Sequence, residues 1–196
     1  AYIPYNLLPH LRWLHDKKFY FCHVNYVDLR VYVTEAKIFD STNVKYPGGW
    51  GTVLTGGMRL GGLPITIAND TCMSAYFMID VTDPFNPEPM WEFTAQDLDL
   101  TVCYSTVVKV KEKWYLVFGS GPVNCAGDGA QNARIFVLDL KSGTLLRKIT
   151  LAEPNSFITN IFACDWGIDY TVDRIYFGIT HGISPNWRGK IYRIRT

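Results

Sequence analysis

A repeated succession of strand-like segments restricts the fold of this chain more than any other feature. The segment that begins at Trp50 (Trp-Gly-Thr-Val-Leu-Thr-Gly) corresponds to one that begins at Trp114 (Trp-Tyr-Leu-Val-Phe-Gly) and to one that begins at Arg174 (Arg-Ile-Tyr-Phe-Gly). Each combines β-branched and aromatic residues and ends in glycine, as strands bounded by turns do. A long polar loop follows the first two. We therefore expect these segments to occupy equivalent places in a repeating all-β fold.

Two further segments extend the repeat. Tyr76-Phe-Met-Ile-Asp80 matches Ile135-Phe-Val-Leu-Asp139 and, more loosely, the residues 191–194. A closing segment, Met90-Trp-Glu-Phe-Thr94, then matches Leu146-Arg-Lys-Ile-Thr150. The two aspartates at positions 80 and 139 lie 59 residues apart, which fits a four-stranded sheet with long loops. Repeated four-stranded units predict a β-propeller whose blades pack on one another.

The number of repeats leaves the closure of this propeller open. We count about three to three and a half blades in residues 1–196, whereas closed propellers have about four or more. Either the sheets pack in an unclosed arc, or the chain is a piece of a larger propeller, and we favour the second. An open propeller edge exposes a sheet face, so we expect the remaining blades or another chain to cover it.

Outside the repeat we predict one short helix and several additional strands. Leu7, Leu8, Leu11 and Leu14 recur at helical spacing within the residues 3–14, where two prolines shorten or interrupt the helix. The predicted strands are His23–Leu29, Ala36–Phe39, Gly51–Thr55, Tyr76–Thr82, Met90–Phe93, Thr101–Val110, Trp114–Phe118, Arg134–Leu140, Leu145–Leu151, Arg174–Ile179 and Lys190–Ile194.

Composition excludes several classes of protein. A chain of 196 residues with 48% hydrophobic and 19% charged residues is globular and not disordered. The net charge of +1 gives no electrostatic reason to expect nucleic acid or an anionic membrane as partner. Apolar runs fall far short of the ~20 residues of a membrane helix. Because the chain opens with Ala1 and shows no leader, we expect a mature or trimmed product.

The five cysteines do not form a recognisable metal or redox motif. They are Cys22, Cys72, Cys103, Cys125 and Cys164, and none belongs to a Cys-x-x-Cys pair. Cys72 and Cys125 lie in comparable loops of neighbouring repeats, so one hypothesis is a disulfide between them. Cys103 and Cys164 lie in apolar runs and are expected to be buried, inert thiols.

The acidic segment Asp165-Trp-Gly-Ile-Asp169-Tyr-Thr-Val-Asp173 is the candidate site. Three carboxylates four residues apart could share one helical face, but the residues between them are poor or mediocre helix formers. A loop that gathers carboxylates requires a counter-ion, and Ca²⁺ is the hard cation that accepts such oxygen ligands. Asp-rich calcium loops use alternate positions as ligands. Gly167 departs from that pattern at the third position, and a solvated turn is the alternative.

Several stretches together carry a family resemblance. They are the residues 1–11, Cys22–Asp28, Trp50–Arg59, Tyr76–Pro84 and Val117–Pro122. In this order, and over essentially the whole chain, they resemble the C-terminal propeller of PilY/PilC-type proteins, which are bacterial type IV pilus biogenesis factors and tip-associated adhesins. The resemblance implies a modified, quinoprotein-like β-propeller of four-stranded blades.

The resemblance also implies a calcium site and a role outside catalysis. Asp165, Asp169 and Asp173 match the first, fifth and ninth positions of the family's calcium loop, and Thr171 would contribute its backbone carbonyl. Expected functions are pilus assembly, control of extension and retraction, twitching motility and surface adhesion. Expected partners are pilins or minor pilins at a pilus tip, together with host or abiotic surface ligands. The expected location is the periplasm, the outer membrane and the cell surface.

Two alternatives to this function remain. One is a generic extracellular ligand-binding or scaffold propeller, because a fold alone does not specify a function. The other is a quinone-cofactor dehydrogenase, which shares the fold, although such enzymes typically have adjacent cysteines under the cofactor and this chain has none. We expect no enzymatic activity. The four histidines and the tryptophans are expected to pack or lie on the surface, without a ligand role.

Overall fold

The structure is a computed structural model that describes residues 2–16 and 23–196, and these residues form a mostly β fold. A 3₁₀ helix spans Tyr5–Leu14, and a 3₁₀ turn spans Pro47–Gly49. In chain order the strands are β1 (Tyr32–Lys37), β2 (Trp50–Gly57), β3 (Ile65–Ile67), β4 (Asp70–Cys72), β5 (Tyr76–Asp80), β6 (Glu88–Phe93), β7 (Thr106–Val110), β8 (Lys113–Gly119), β9 (Arg134–Asp139), β10 (Leu145–Thr150), β11 (Ser156–Cys164), β12 (Arg174–His181) and β13 (Arg188–Arg195).

The strands form successive antiparallel sheets in chain order. The first sheet has the strand order β1-β2-β5-β6, the second β7-β8-β9-β10 and the third β11-β12-β13, while β3 and β4 form a hairpin between two strands of the first sheet. This arrangement confirms the predicted all-β fold of repeated sheets. The predicted division of residues 1–196 into about three to three and a half blades of one domain stays a prediction.

The sheets repeat in register as well as in order. The second strands of the three sheets are β2, β8 and β12, which contain the three segments matched in the sequence. Each of these strands places a glycine opposite an apolar residue of the third strand. The equivalent pairs are Gly57–Tyr76, Gly119–Ile135 and Gly178–Ile191. The predicted correspondence of Gly56 with Gly119 is wrong by one residue, because Gly57, and not Gly56, lies opposite Tyr76, the counterpart of Ile135.

A column of aromatic rings joins the first two sheets. Tyr76, Phe118 and Phe136 are fully buried. The ring centroid of Phe118 lies 4.1 Å from that of Tyr76 and 5.6 Å from that of Phe136. Such pairs contribute about 1 kcal/mol each beyond the burial of their area. The Tyr76 hydroxyl donates a hydrogen bond to the Cys103 carbonyl, so its polar atom is also satisfied. The core therefore lies between the sheets, as expected of packed blades.

The N-terminal helix is 3₁₀ in type, and this changes which leucines it buries. Leu7 is buried, whereas Leu8 and Leu14 are exposed. Pro9 lies inside the helix and cannot donate the backbone hydrogen bond that an α-helix requires. The carboxylate of Glu92 accepts hydrogen bonds from the backbone nitrogen of Tyr5 at the first turn, which ties the helix to β6. The predicted short, irregular helix is confirmed, but its predicted leucine stripe is wrong.

The predicted strand His23–Leu29 is wrong, because this segment crosses a loop instead of pairing with a strand. It contains no regular secondary structure. A Cβ built on Gly61 would lie 1.9 Å from the carbonyl oxygen of Tyr26, so the two backbones touch. Asp28 pairs with the guanidinium of Arg59 at 2.9 Å. These contacts fix the segment against the loop that follows β2.

The strand prediction needs three further corrections. The predicted Thr101–Val110 shortens to β7, because Thr101 is buried and its hydroxyl accepts hydrogen bonds from the backbone nitrogens of Met58 and Arg59. No strand was predicted at β11, where a bulge between Ile158 and Ile161 breaks the alternation of buried and exposed residues. The hairpin β3–β4 was also missed, and each of its strands has three residues.

The cysteines in the described part of the chain are free thiols. Cys72 and Cys103 are buried, Cys125 is exposed and Cys164 is half-buried. The hypothesis of a disulfide between Cys72 and Cys125 is therefore wrong for this structure, and the predicted burial holds fully only for Cys103. Burial raises the pKa of the Cys103 thiol to about 12, which keeps it protonated and inert. Cys22 lies outside the described residues.

No helix among residues 2–16 and 23–196 is both long enough and apolar enough to cross a membrane.

Candidate metal centre

The acidic segment is a closed loop between β11 and β12 in the third sheet. Its ends meet where the backbone nitrogen of Asp173 donates a hydrogen bond of 3.0 Å to the carbonyl of Cys164. The backbone nitrogen of Val172 donates a hydrogen bond of 2.9 Å to the carbonyl of Lys109 in β7. The loop contains no helix, as its glycine and β-branched residues predict. It is therefore held at both ends by the third sheet and on one side by the second.

The loop curls around its own carboxylates. The carboxylate of Asp165 accepts hydrogen bonds from the backbone nitrogens of Asp169 (3.3 Å) and Tyr170 (2.7 Å). One oxygen of Asp173 accepts hydrogen bonds from the backbone nitrogens of Trp166 (2.9 Å) and Gly167 (3.0 Å). These contacts order the backbone and draw the first and last carboxylates of the loop toward its centre.

Asp169 makes fewer contacts of this kind. Its Oδ1 accepts a hydrogen bond of 2.9 Å from the backbone nitrogen of Thr171, two residues further on. This is a local Asx turn, which any exposed aspartate can form. Among the three predicted carboxylate ligands, Asp169 thus contributes least to the shape of the loop.

Gly167 faces the carboxylates. A Cβ built on this residue would lie 3.8 Å from Cγ of Asp169 and 3.8 Å from Oδ2 of Asp173. These are ordinary van der Waals distances, and the backbone of Gly167 is not in the left-handed region. The third position of the loop is therefore directed toward the site, and a side chain there would have room.

The intervening positions are directed outward. Trp166, Ile168 and Tyr170 are 78%, 83% and 82% exposed. Ile168 and Tyr170 have φ angles of 55° and 63°, in the left-handed region that β-branched and bulky residues rarely adopt. Such strain costs about 1 kcal/mol or more per residue and concentrates at functional sites. Trp166, Ile168 and Tyr170 therefore form an exposed apolar ridge on the loop, whereas Asp165 and Asp173 are half-buried.

The donor set of the loop fits a hard cation in its chemistry. Three carboxylates and the carbonyl of Thr171 are oxygen ligands, which Ca²⁺ accepts in flexible geometry. Within the described ranges, however, no three His, Cys, Asp or Glu side chains stand together in an arrangement that could hold a metal ion as they are. Calcium would thus require carbonyl or water ligands and a small turn of the carboxylates away from their backbone donors. The assignment of Asp165, Asp169, Thr171 and Asp173 as ligands stays a prediction.

Two charged clusters that the sequence did not single out as sites stabilise the sheets. Asp80 is buried at the end of β5 and accepts hydrogen bonds from Lys45 Nζ and the Tyr46 hydroxyl, both at 2.7 Å. Glu153, before β11, pairs with Lys190 Nζ at 2.7 Å and accepts a hydrogen bond from the Tyr192 hydroxyl. The sequence repeat includes Asp80, but it is the fold that brings Lys45 into contact with this residue.

Comparisons with known proteins identify relatives of this chain. No protein-family model matches it. The type IV pilus biogenesis factor PilY1 of Pseudomonas aeruginosa strain PAK is 30% identical over 145 residues, which is 70% of this chain. A PilY1 homologue of Xylella fastidiosa strain Temecula1, with the same description, is 26% identical over 182 residues, or 91% of the chain. The chain belongs to a PilY1-type family.

The fold agrees with this relationship. The crystal structure of the Pseudomonas aeruginosa PilY1 C-terminal domain superimposes with a TM-score of 0.66 over 98% of this PilY1-type chain, at 22% sequence identity. The chain covers 33% of that domain, and 13% and 11% of the two curated relatives described above. The predicted β-propeller fold class is confirmed, and the chain corresponds to a small part of the length of its relatives.

Proposed function

We propose that this PilY1-type chain is a calcium-binding, pilus-associated β-propeller segment that supports type IV pilus assembly. The printed names of the curated relatives support the pilus role, since they are type IV pilus biogenesis factors. The single observation that supports the calcium role is the loop at residues 165–173, whose three carboxylates belong to one closed turn. The proposed role is not enzymatic.

Electrostatics explains why the loop would take up a cation. The carboxylates of Asp169 and Asp173 both lie 3.8 Å from the position of a Cβ built on Gly167. They are therefore close to each other, and their negative charges repel. Ca²⁺ would neutralise this repulsion and accept oxygens from Asp165, Asp169 and Asp173 and the Thr171 carbonyl. Neither lysine nor arginine forms an ion pair with any of the three carboxylates in the described part of the chain.

Calcium binding by the carboxylates would also order the apolar ridge of the loop. The ridge residues Trp166, Ile168 and Tyr170 lie in the loop between the first and last aspartates, so the shape of the ridge depends on how the carboxylates are held. In the proposal, calcium stabilises the ridge in a form that a pilin or minor pilin at the pilus tip recognises, and calcium loss weakens that contact. Control of extension and retraction, twitching motility and adhesion to host or abiotic surfaces would follow. The protein would act in the periplasm, the outer membrane and at the cell surface.

Calorimetry with CaCl₂ tests the calcium role. We expect the wild-type chain to bind one Ca²⁺ and Asp169→Asn to bind at least about tenfold more weakly, because one charged ligand is lost. Asp40→Asn is a matched control, since Asp40 also accepts a 2.9 Å hydrogen bond from the backbone nitrogen two residues on, in a different loop. Absence of heat with the wild type would refute the calcium role.

The pilus role is tested separately in cells. The full-length protein that contains this chain is deleted, and surface pili and twitching zones are measured after complementation with wild type or Asp169→Asn. Normal piliation in the deletion strain would refute the pilus role even where calcium binds in vitro, and would leave a generic scaffold or ligand-binding propeller. Substrate oxidation with an added quinone and an artificial electron acceptor would instead favour an enzyme.

A further inference from the structure

A cross-strand pair of lysine and tryptophan occurs at corresponding strand ends of the first two sheets. In the first sheet Lys37 of β1 lies opposite Trp50 of β2. In the second sheet Lys109 of β7 lies opposite Trp114 of β8. The third sheet has Cys164 opposite Arg174 near the corresponding end. The lysine–tryptophan pair thus occurs in two consecutive sheets and not in the third. Sheet hydrogen bonds join backbone atoms, so they do not require these two side chains.

The two pairs meet in one cleft between these sheets. The indole rings of Trp50 and Trp114 approach edge to face, with centroids 5.8 Å apart and an angle of 82° between their planes. The cleft has a volume of about 430 Å³, and Phe39 and Glu112 also line it. Its wall includes Gly49 at a φ of 85°, where a Cβ would lie 3.0 Å from the carbonyl oxygen of Phe39. The turn at Pro47–Gly49 therefore packs closely against the backbone of Phe39, and both line the cleft.

The polar groups of the cleft have unused binding capacity. Within the described residues, neither Lys37 nor Lys109 forms an ion pair. The Nζ of Lys109 lies 6.0 Å from the centre of the Trp114 ring. Trp50 is 45% exposed, which is high for a tryptophan residue. Two lysines against one glutamate leave the cleft with a positive formal charge.

We propose that this cleft binds an acidic saccharide. The exposed face of an indole fits the apolar C–H face of a pyranose ring, and the lysine ammonium groups would pair with a carboxylate or sulfate on the sugar. Glu112 provides an acceptor for sugar hydroxyls. The volume of the cleft lies in the range of small-ligand sites. This proposal concerns the first two sheets and does not depend on the proposed calcium or pilus role.

Binding of defined oligosaccharides to the full 196-residue chain tests the proposal. Calorimetry in EDTA prevents a cation from bridging the sugar to the acidic loop. The probes are tetragalacturonate for a carboxylated sugar, a sulfated tetrasaccharide and neutral maltotetraose. We expect one or both acidic probes to bind and maltotetraose to bind at least about tenfold more weakly, because the ion pairs are absent. Which acidic probe binds tighter distinguishes carboxylate from sulfate recognition.

Variants locate the binding to the cleft. Trp50→Ala should weaken binding of the acidic probe about tenfold, and Lys109→Gln about fivefold. Trp187→Ala and Arg188→Gln remove an exposed tryptophan and a positive charge at the start of β13 in the third sheet, and should leave the affinity unchanged. Because the lysine is a surface residue, Lys109→Gln tests the cleft even if Trp50→Ala does not fold.

Three outcomes would overturn the saccharide proposal. The first is that neither acidic probe binds. The second is that Trp50→Ala and Lys109→Gln bind as tightly as the wild type. The third is that single-stranded oligothymidylate binds at least as tightly as both acidic sugars, which would indicate a general polyanion surface.

Discussion

Gly119 of the second sheet lies directly against Ile158 of the third sheet. A Cβ built on Gly119 would lie only 2.2 Å from the Cβ of Ile158, a fully buried side chain of β11. The backbone nitrogen of Ile158 also donates a hydrogen bond of 2.8 Å to the carbonyl of Ser120, just beyond the end of β8. The absence of a side chain at Gly119 thus permits the third sheet to approach the backbone of β8.

This contact predicts a large effect of a small substitution. Gly119→Ala should lower the free energy of unfolding by about 2–3 kcal/mol, because the added methyl group overlaps a buried side chain. Urea denaturation measures the effect. Gly167→Ala is the control, since its Cβ meets no atom closer than 3.8 Å and it should change stability little. In Gly119→Ala combined with Ile158→Gly, which also removes the Cβ of Ile158, the loss should be smaller than the sum of the single losses. Strict additivity would contradict the contact.

Asp80 predicts a second stability effect. Burial would raise the pKa of this carboxyl, but hydrogen bonds from Lys45 and Thr82 outweigh it and hold the pKa below its usual range. Asp80→Asn should therefore destabilise the protein by about 1–3 kcal/mol, because the buried charge-assisted hydrogen bonds to Lys45 and Tyr46 are weakened. Thermal and urea unfolding of the variant measure the loss.

The equivalent aspartate of the second sheet provides the comparison. Asp139 lies at the same place in β9, but among the described residues its carboxylate accepts hydrogen bonds only from the backbone nitrogen and hydroxyl of Ser142 in the following turn. Asp139→Asn should cost about 0.5–1 kcal/mol. If both substitutions had equal effects, the ion pair at Asp80 would contribute nothing beyond a turn contact.

Glu153 predicts a dependence of stability on pH. Hydrogen bonds from Lys190 and Tyr192 lower the pKa of the Glu153 carboxyl from 4.5 to about 2. Because the pKa is lower in the folded state, the stabilisation is fully present above pH 4.5 and is lost as the pH falls toward 2. Glu153→Gln should therefore melt at a lower temperature than the wild type at pH 7, and the difference should shrink with acid.

Melting temperatures between pH 2 and pH 7 check this prediction. Glu35→Gln, at an exposed position of β1, is the control and should follow the wild type. A constant difference between Glu153→Gln and the wild type over this range would mean that the ion pair with Lys190 does not control the pH dependence.

If the acidic loop binds calcium, a substitution at its third position, Gly167, should strengthen that binding. Gly167→Asp would place a fourth carboxylate toward Asp169 and Asp173 without steric conflict. It should raise calcium affinity at least about tenfold, because calcium affinity rises with the number of charged ligands. Without calcium the same variant should unfold at a lower temperature, because the added charge is repelled. Gly167→Ala should do neither. Calorimetry and melting in calcium and in EDTA measure both effects, and an unchanged affinity would contradict this geometry.

The sequence pattern correctly predicted those strands whose own residues show a regular β pattern. The segments that start at Trp50, Trp114 and Arg174 became the second strands of three sheets, because their β-branched and aromatic residues favour a pleated backbone whatever lies beside them. The pattern failed at β11, where a bulge interrupts the alternation, and at residues 23–29, where contacts with the loop after β2 replace strand pairing.

The candidate site likewise combines a feature that the sequence predicted with contacts that only the fold provides. The composition of the segment from Asp165 to Asp173, whose intervening residues are poor helix formers, predicted an acidic loop without helix, which is the conformation found. It gave no signal for the backbone donors that hold Asp165 and Asp173, or for the hydrogen bond from Val172 to Lys109. Those contacts depend on where the second sheet lies.

By itself the sequence determined the repeat, the all-β class and the family, because these depend on periodicity and residue order. Tertiary structure alone decided that Lys45 reaches Asp80, that Ile158 lies against Gly119, and that two lysine–tryptophan pairs share one cleft. The physical reason is that such contacts join residues 35 or more positions apart, and their geometry is fixed only when whole sheets pack on one another.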